Sequence, residues 1–119
     1  MTPFGLKMRE MRAVKGVSQK EMAEALGVSA AYLSALEHGK RGVPNWALVQ
    51  KIVGYFNVIW DEAEELQNIA ASSHPRVVVD TTGLSPKATA FANRLAGEIA
   101  RLDGATLDEL MAVLDSRSA

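Results

Sequence analysis

The 119-residue sequence contains no cysteine, which excludes disulfides, thiolate metal sites and cysteine nucleophiles. Histidine occurs only twice, at His38 and His74, without the clustered acids that a metal site needs. Aromatic residues make up 6% of the chain. No apolar run approaches the roughly 20 residues of a membrane span. The opening Met-Thr-Pro-Phe-Gly lacks the basic-then-apolar build of a secretion signal. There is no Ser-His-Asp set, no glycine-rich phosphate loop and no metal signature. The expectation is therefore a non-enzymatic, cofactor-free, cytoplasmic protein with no membrane partner. The chain is 48% hydrophobic and 23% charged, a globular composition sized for one domain and a small appendage.

The net charge of −1 conceals a split. Residues 1–58 carry eight Lys/Arg against four Asp/Glu, a net of +4, and residues 59–119 carry five against ten, a net of −5. Such asymmetry points to a half that binds a polyanion joined to a half with another task. Chance segregation of solvated charges gives the same count.

Nearly all of the chain reads as helix. Leu6, Met8, Met11 and Val14 mark a first amphipathic segment that Gly16 ends. Ser18 and Glu21 have capping-box spacing ahead of Met22, Ala23 and Leu26, and Gly27 stops this second helix. Ser29 caps a third, Ala30 to Glu37, with Leu33 and Leu36 turned inward and Gly39 just beyond its end. A basic loop, Lys40-Arg41-Gly42-Val43-Pro44, leads to Asn45 and a fourth helix with Trp46, Val49, Ile52, Val53 and Phe56 at helical spacing. Ile59 to Ala71 form a fifth, whose Glu62, Glu64 and Glu65 read as a solvated face; Trp46, Phe56 and Trp60 read as core and inter-helix packing. Ser72-Ser73-His74-Pro75 breaks the pattern, and Arg76 to Asp80 is the one strand-like run. After a second break at Thr81 to Ser85, Ser85-Pro86 starts a helix with Phe91, Leu95, Ile99 and Leu102 on one stripe. Gly104 interrupts, and Leu107, Leu110, Met111 and Leu114 mark a last helix.

The informative segment is Ser18 to Gly39, SQKEMAEALGVSAAYLSALEHG. Two short helices meet through Gly27-Val28-Ser29, with Ala23 small where they approach, Gly27 for the sharp turn and Val28 plugging the core beneath. Such a pair lets the later helix project into a groove about 12 Å wide. With the E-x-G-K/R ending, Pro44, Leu48 and Ile52, this text resembles the phage-repressor (Cro/CI-like, XRE) helix-turn-helix family over about residues 5–66.

The resemblance implies a five-helix DNA-binding domain with the second helix over the phosphate backbone and the third in the major groove of double-stranded DNA. Gln19 matches a position that hydrogen-bonds phosphate, and Lys40 and Arg41 suit phosphate contact. The face offered to bases is Ala30, Ala31, Tyr32, Ser34, Ala35 and His38. Family members often place Gln, Arg or Asn there; with alanines instead, the resemblance implies weak direct readout, with DNA shape and deformability contributing much of the specificity. Tyr32 reads equally as packing beside the helix. Arg12 and Glu37 match a pair that bridges the first and third helices, orienting the latter and aiming the guanidinium at phosphate.

The expected fold class is all-α, with a helix-turn-helix domain over 1–71, then a short extended segment and a two-helix tail over 72–119. The tail's apolar stripes are too short for an independent core. Phe91, Leu95, Ile99, Leu102, Leu107, Leu110 and Leu114 would be more stable against a second copy, with Val77 and Val79 adding a strand pair across the symmetry axis. A homodimer would set two third helices about one DNA turn apart on a near-palindrome. The leading expectation is a nucleoid-associated, sequence-specific transcriptional regulator, a repressor. The alternatives are the antitoxin of a toxin–antitoxin pair, whose acidic tail holds a protein partner, and an interaction module without DNA binding.

Overall fold

The computed structural model describes residues 1–118. Among these the chain is all-helical, with no strand. Its contacts divide it into two units, Met1–Val77 and Val78–Ala119.

The first unit holds α1 (Pro3–Lys15), α2 (Gln19–Leu26), α3 (Ala30–Glu37), α4 (Trp46–Phe56) and α5 (Trp60–Ala71). Local chemistry sets the ends. Thr2 caps α1 by accepting from the Gly5 N–H, with Pro3 in the first turn. Asn45 caps α4 through the Leu48 N–H at 2.8 Å. Asn57 ends α4 in the left-handed region at φ 52°, a place asparagine tolerates. Ile59 opens α5 without a side-chain cap.

All five helices supply the core: Phe4 and Met8, Met22, Ala23 and Leu26, Leu33 and Leu36, Leu48, Val49 and Ile52, Leu66 and Ala70. Burying such side chains contributes roughly 1.5–3 kcal/mol each for the larger ones. The expected face of α1 is partly corrected. Met8 is buried and Met11 packs at the edge, but Leu6 and Val14 are exposed, and Phe4, Gly5 and Arg12 face inward. Trp46 and Trp60, expected in the core, are 70% and 92% exposed, because each stands at the first position of its helix. Phe56 does pack against the core.

The two ends of the first unit meet. The Ser73 hydroxyl accepts from the Phe4 N–H at 2.9 Å and donates to the Ile69 carbonyl at 2.6 Å. The break at residues 72–75 therefore belongs to the packed unit, with Ser73 2% exposed.

The charge split falls elsewhere than expected. Unit one carries nine Lys/Arg and eight Asp/Glu, a net of +1, because the four carboxylates of α5 are part of it. The divide runs inside this unit, between a basic α1–α4 segment and an acidic α5 that packs on α1 and α4.

The second unit holds α6 (Pro86–Glu98), a 3₁₀ turn (Ile99–Arg101) and α7 (Gly104–Arg117). Ser85 caps α6 and Asp103 caps α7, so Gly104 opens the last helix rather than interrupting one. Hydrogen bonds from Thr106, side chain foremost and then backbone, hold the Asp103 carboxyl below the ordinary aspartate range. Arg94 pairs with Glu98 at 2.7 Å in an exposed i,i+4 bridge. No residue of α6 or α7 is buried. Val77 to Val79 are exposed and unpaired by any strand among the described residues, so the expected strand does not form within the chain. An isolated run of three valines has no sheet edge here to supply its hydrogen bonds.

Candidate nucleic-acid interface

The interface is built on α2, α3 and the turn between them. Ser18 accepts from the Glu21 N–H at 3.0 Å, and Glu21 accepts from the Ser18 N–H at 3.2 Å, completing the capping box. Gly27, at φ 74°, turns the chain out of α2. The Val28 N–H reaches the Ala23 carbonyl and the Gly27 N–H reaches that of Glu24, the paired bonds of a Schellman ending. Ser29 accepts from the Tyr32 N–H at 3.0 Å and starts α3.

The same device closes α3. Lys40 N–H donates to Ala35 at 2.8 Å and Gly39 N–H to Leu36 at 3.2 Å, with Gly39 at φ 76°. A left-handed residue is required there, and a Cβ would press on the Thr2 methyl at 2.9 Å. Lys40 is therefore delivered directly off the end of α3, with Arg41 beside it in sequence and both exposed.

The base of α3 is clamped from α1. Arg12 gives Glu37 two hydrogen bonds, Nη1 to Oε2 at 2.7 Å and Nη2 to Oε1 at 2.8 Å. Glu37 is 1% exposed and Arg12 9%. Gln19 Nε2 also reaches Glu37 Oε2, at 3.4 Å. The Glu37 carbonyl accepts from both the N–H and the hydroxyl of Thr2, at 3.0 and 3.1 Å. A buried pair of this kind is weak evidence for stability, but its two-armed geometry fixes orientation. The pair expected from sequence is present, with its guanidinium turned inward on Glu37.

Ala30 and Ala31 are exposed on α3, and Ser34 and Ala35 are half-buried. Tyr32 is half-buried and packs against the core. His38 ends α3 with Nδ1 2.9 Å from the Ser34 carbonyl. A carbonyl only accepts, so Nδ1 is the donor of that bond and Nε2 stays outside it.

Sequence reasoning missed Thr2, Gly5 and Ser73. A Cβ on Gly5 would collide with the Glu37 carbonyl, so only glycine lets α1 and α3 approach there. Thr2 was legible as a cap ahead of Pro3. Nothing local marks Ser73, whose partner Phe4 lies 69 residues away.

The expected pairing residues lie in or beside the second unit. Val77, Val79, Phe91, Ile99, Leu110 and Leu114 are exposed; Leu95, Leu102 and Leu107 are half-buried. Among the described residues, no group of three or more acids and histidines is placed to hold a metal ion, and no helix is long and apolar enough to cross a membrane.

Comparisons with known proteins agree with this geometry. The helix-turn-helix domain family matches residues 3–66. The chain is 32% identical over 74 residues to the uncharacterized HTH-type transcriptional regulator RghRB of Bacillus subtilis, covering 62% of this chain and 50% of that protein. It is 40% identical over 52 residues to the HTH-type transcriptional repressor RghR of the same organism, covering 44% of this chain and 38% of that one. It is 36% identical over 59 residues to the uncharacterized HTH-type transcriptional regulator YazB, covering 50% of this chain and 84% of that protein. The chain thus spans about half the length of RghRB. No solved structure matches. A capped helix pair, a third helix clamped from α1 and a family match that runs from α1 into α5 lead to one assignment: the chain belongs to the helix-turn-helix family of DNA-binding transcriptional regulators, which is not a family of enzymes.

Proposed function

We propose that this protein is a cytoplasmic, nucleoid-associated repressor that binds a near-palindromic operator as a homodimer. Gln19, Lys40 and Arg41 hold phosphates, and α3 presents Ala30, Ala31, Tyr32, Ser34, Ala35 and His38 to the major groove. Arg12 orients α3 through Glu37 and leaves phosphate contact to its neighbours. The repressor role takes support from the name of RghR.

The observation that carries the dimer is the state of the tail. α6 and α7 display Phe91, Leu95, Leu107 and Leu114, yet neither helix buries a residue. Helices need a packed apolar face to persist in water, and a second copy provides one. Two first units so joined set their recognition helices about 34–36 Å apart, one turn of DNA.

Sedimentation of the full chain at micromolar concentration tests this. A dimer that Leu95→Asp with Leu107→Asp converts to monomer is the expected result. A monomeric wild type overturns the dimer, and co-purification with a different protein on the tail would replace it with the antitoxin reading.

A further inference from the structure

We propose that this chain reads its operator chiefly through the 5-methyl groups of thymine, contacted by Ala30, Ala31 and Ala35. The inference rests on the reading that α3 lies in the major groove, and it names what is recognised there.

The major-groove edge offers hydrogen-bonding groups and one apolar group, the thymine methyl. Reading guanine or adenine by paired hydrogen bonds needs Arg, Lys, Asn or Gln. Residues 30–37 contain none of these. The one ionised side chain on α3, Glu37, is 1% exposed and saturated by Arg12, so it does not accept from cytosine. Leu33 and Leu36 are core residues, and Tyr32 is partly withdrawn against the core. The Ser29 oxygen accepts the cap bond of α3 and keeps only its O–H as a single donor, which cannot make a paired contact. What remains for the bases is the methyls of the exposed Ala30 and Ala31 and the half-buried Ala35, with the hydroxyls of Ser29 and the half-buried Ser34 and the exposed His38 ring at the helix end as the only hydrogen-bonding groups beside them.

Side chains this short let the helix seat close to the base edges, where methyl-to-methyl contact is made. Ala31 and Ala35 are one turn apart on the same face, and Ala30 opens the helix. Five helical steps advance about 7.5 Å, or roughly two base-pair steps of 3.4 Å. Each half-site should therefore carry its decisive thymines on two or three adjacent base pairs.

The test starts from a random duplex pool selected with the full chain. Each thymine of the enriched duplex is then replaced singly by deoxyuridine, which deletes the methyl and keeps every hydrogen-bonding group. The expected result is a run of two or three neighbouring pairs per half-site where each replacement weakens binding about fourfold, the effect of losing one buried carbon. Replacements outside the run should be silent. Ala31→Gln, at an exposed position that the fold tolerates, should enrich adenine at the pair it faces and abolish the deoxyuridine effect there. An enriched duplex with a flat deoxyuridine scan overturns this inference alone. A pool that yields no enriched duplex overturns the DNA-binding reading, and this inference with it.

Discussion

Arg12 and Glu37 lie 25 residues apart and meet in a buried two-armed ion pair, 2.7 and 2.8 Å. Glu37 is the last residue of α3, so α1 holds the C-terminal end of that helix against the core. Gln19, at the start of α2, touches the same carboxylate. One buried acid thus ties together the helix proposed to read bases and the residue proposed to hold phosphate.

Removing one partner should be costly. Arg12→Ala strands a buried carboxylate, and about 3–5 kcal/mol of stability should be lost in urea denaturation. The double variant Arg12→Met with Glu37→Leu should recover most of that loss without recovering DNA affinity. Full recovery of both would show that the pair serves stability rather than orientation.

Gly5→Ala isolates the backbone approach. In an ordinary helix this change gains up to about 1 kcal/mol. Here the methyl meets the Glu37 carbonyl, and a net loss of about 1–3 kcal/mol is expected. An unchanged denaturation midpoint would refute the close approach.

Lys40→Ala and Gln19→Ala should both weaken binding across operator sequences. The Lys40 variant should also lower the slope of log affinity against log salt by about 0.9, one phosphate's worth. Gln19 is uncharged, so its variant should leave the slope intact. Equal affinities for both variants and wild type at moderate salt would rule out this docking.

Acid should loosen the start of α7 at a lower pH than an ordinary aspartate would. Asp103 has its carboxyl pKa depressed in the fold, so its capping contribution is present above the unfolded value and is lost as pH falls through the folded one. Titrating the Asp103 carboxyl by NMR, alongside the Thr106 amide that it accepts from at 2.8 Å, checks this. Asp103→Asn should keep the cap and remove its acid sensitivity.

The features legible in the sequence were those carried by neighbouring residues. Ser18 with Glu21, Ser29, Asn45 and Ser85 with Pro86 each fix a helix end from within four positions. The phase of α1 departs from its apolar pattern because Arg12, polar by type, faces inward once paired, while Leu6 and Val14 are left outside. Residue type alone puts the two tryptophans in the core, whereas at the starts of α4 and α5 they stand in solvent. The charge division was real in the sequence but crosses the first unit instead of separating the two, because α5 folds with α1 and α4. Phe4 with Ser73 is invisible to any local pattern.

That last contact makes the first unit a closed loop of chain. Thr2, Gly39 and Pro75 converge at one spot, where a Cβ on Gly39 would lie 2.9 Å from Thr2 and 3.2 Å from Pro75. A domain whose beginning and end are stitched together behaves as a cassette. It should tolerate being spliced onto a foreign oligomerising partner, or cut open in an exposed loop and rejoined at its old ends, because neither operation has to move α3.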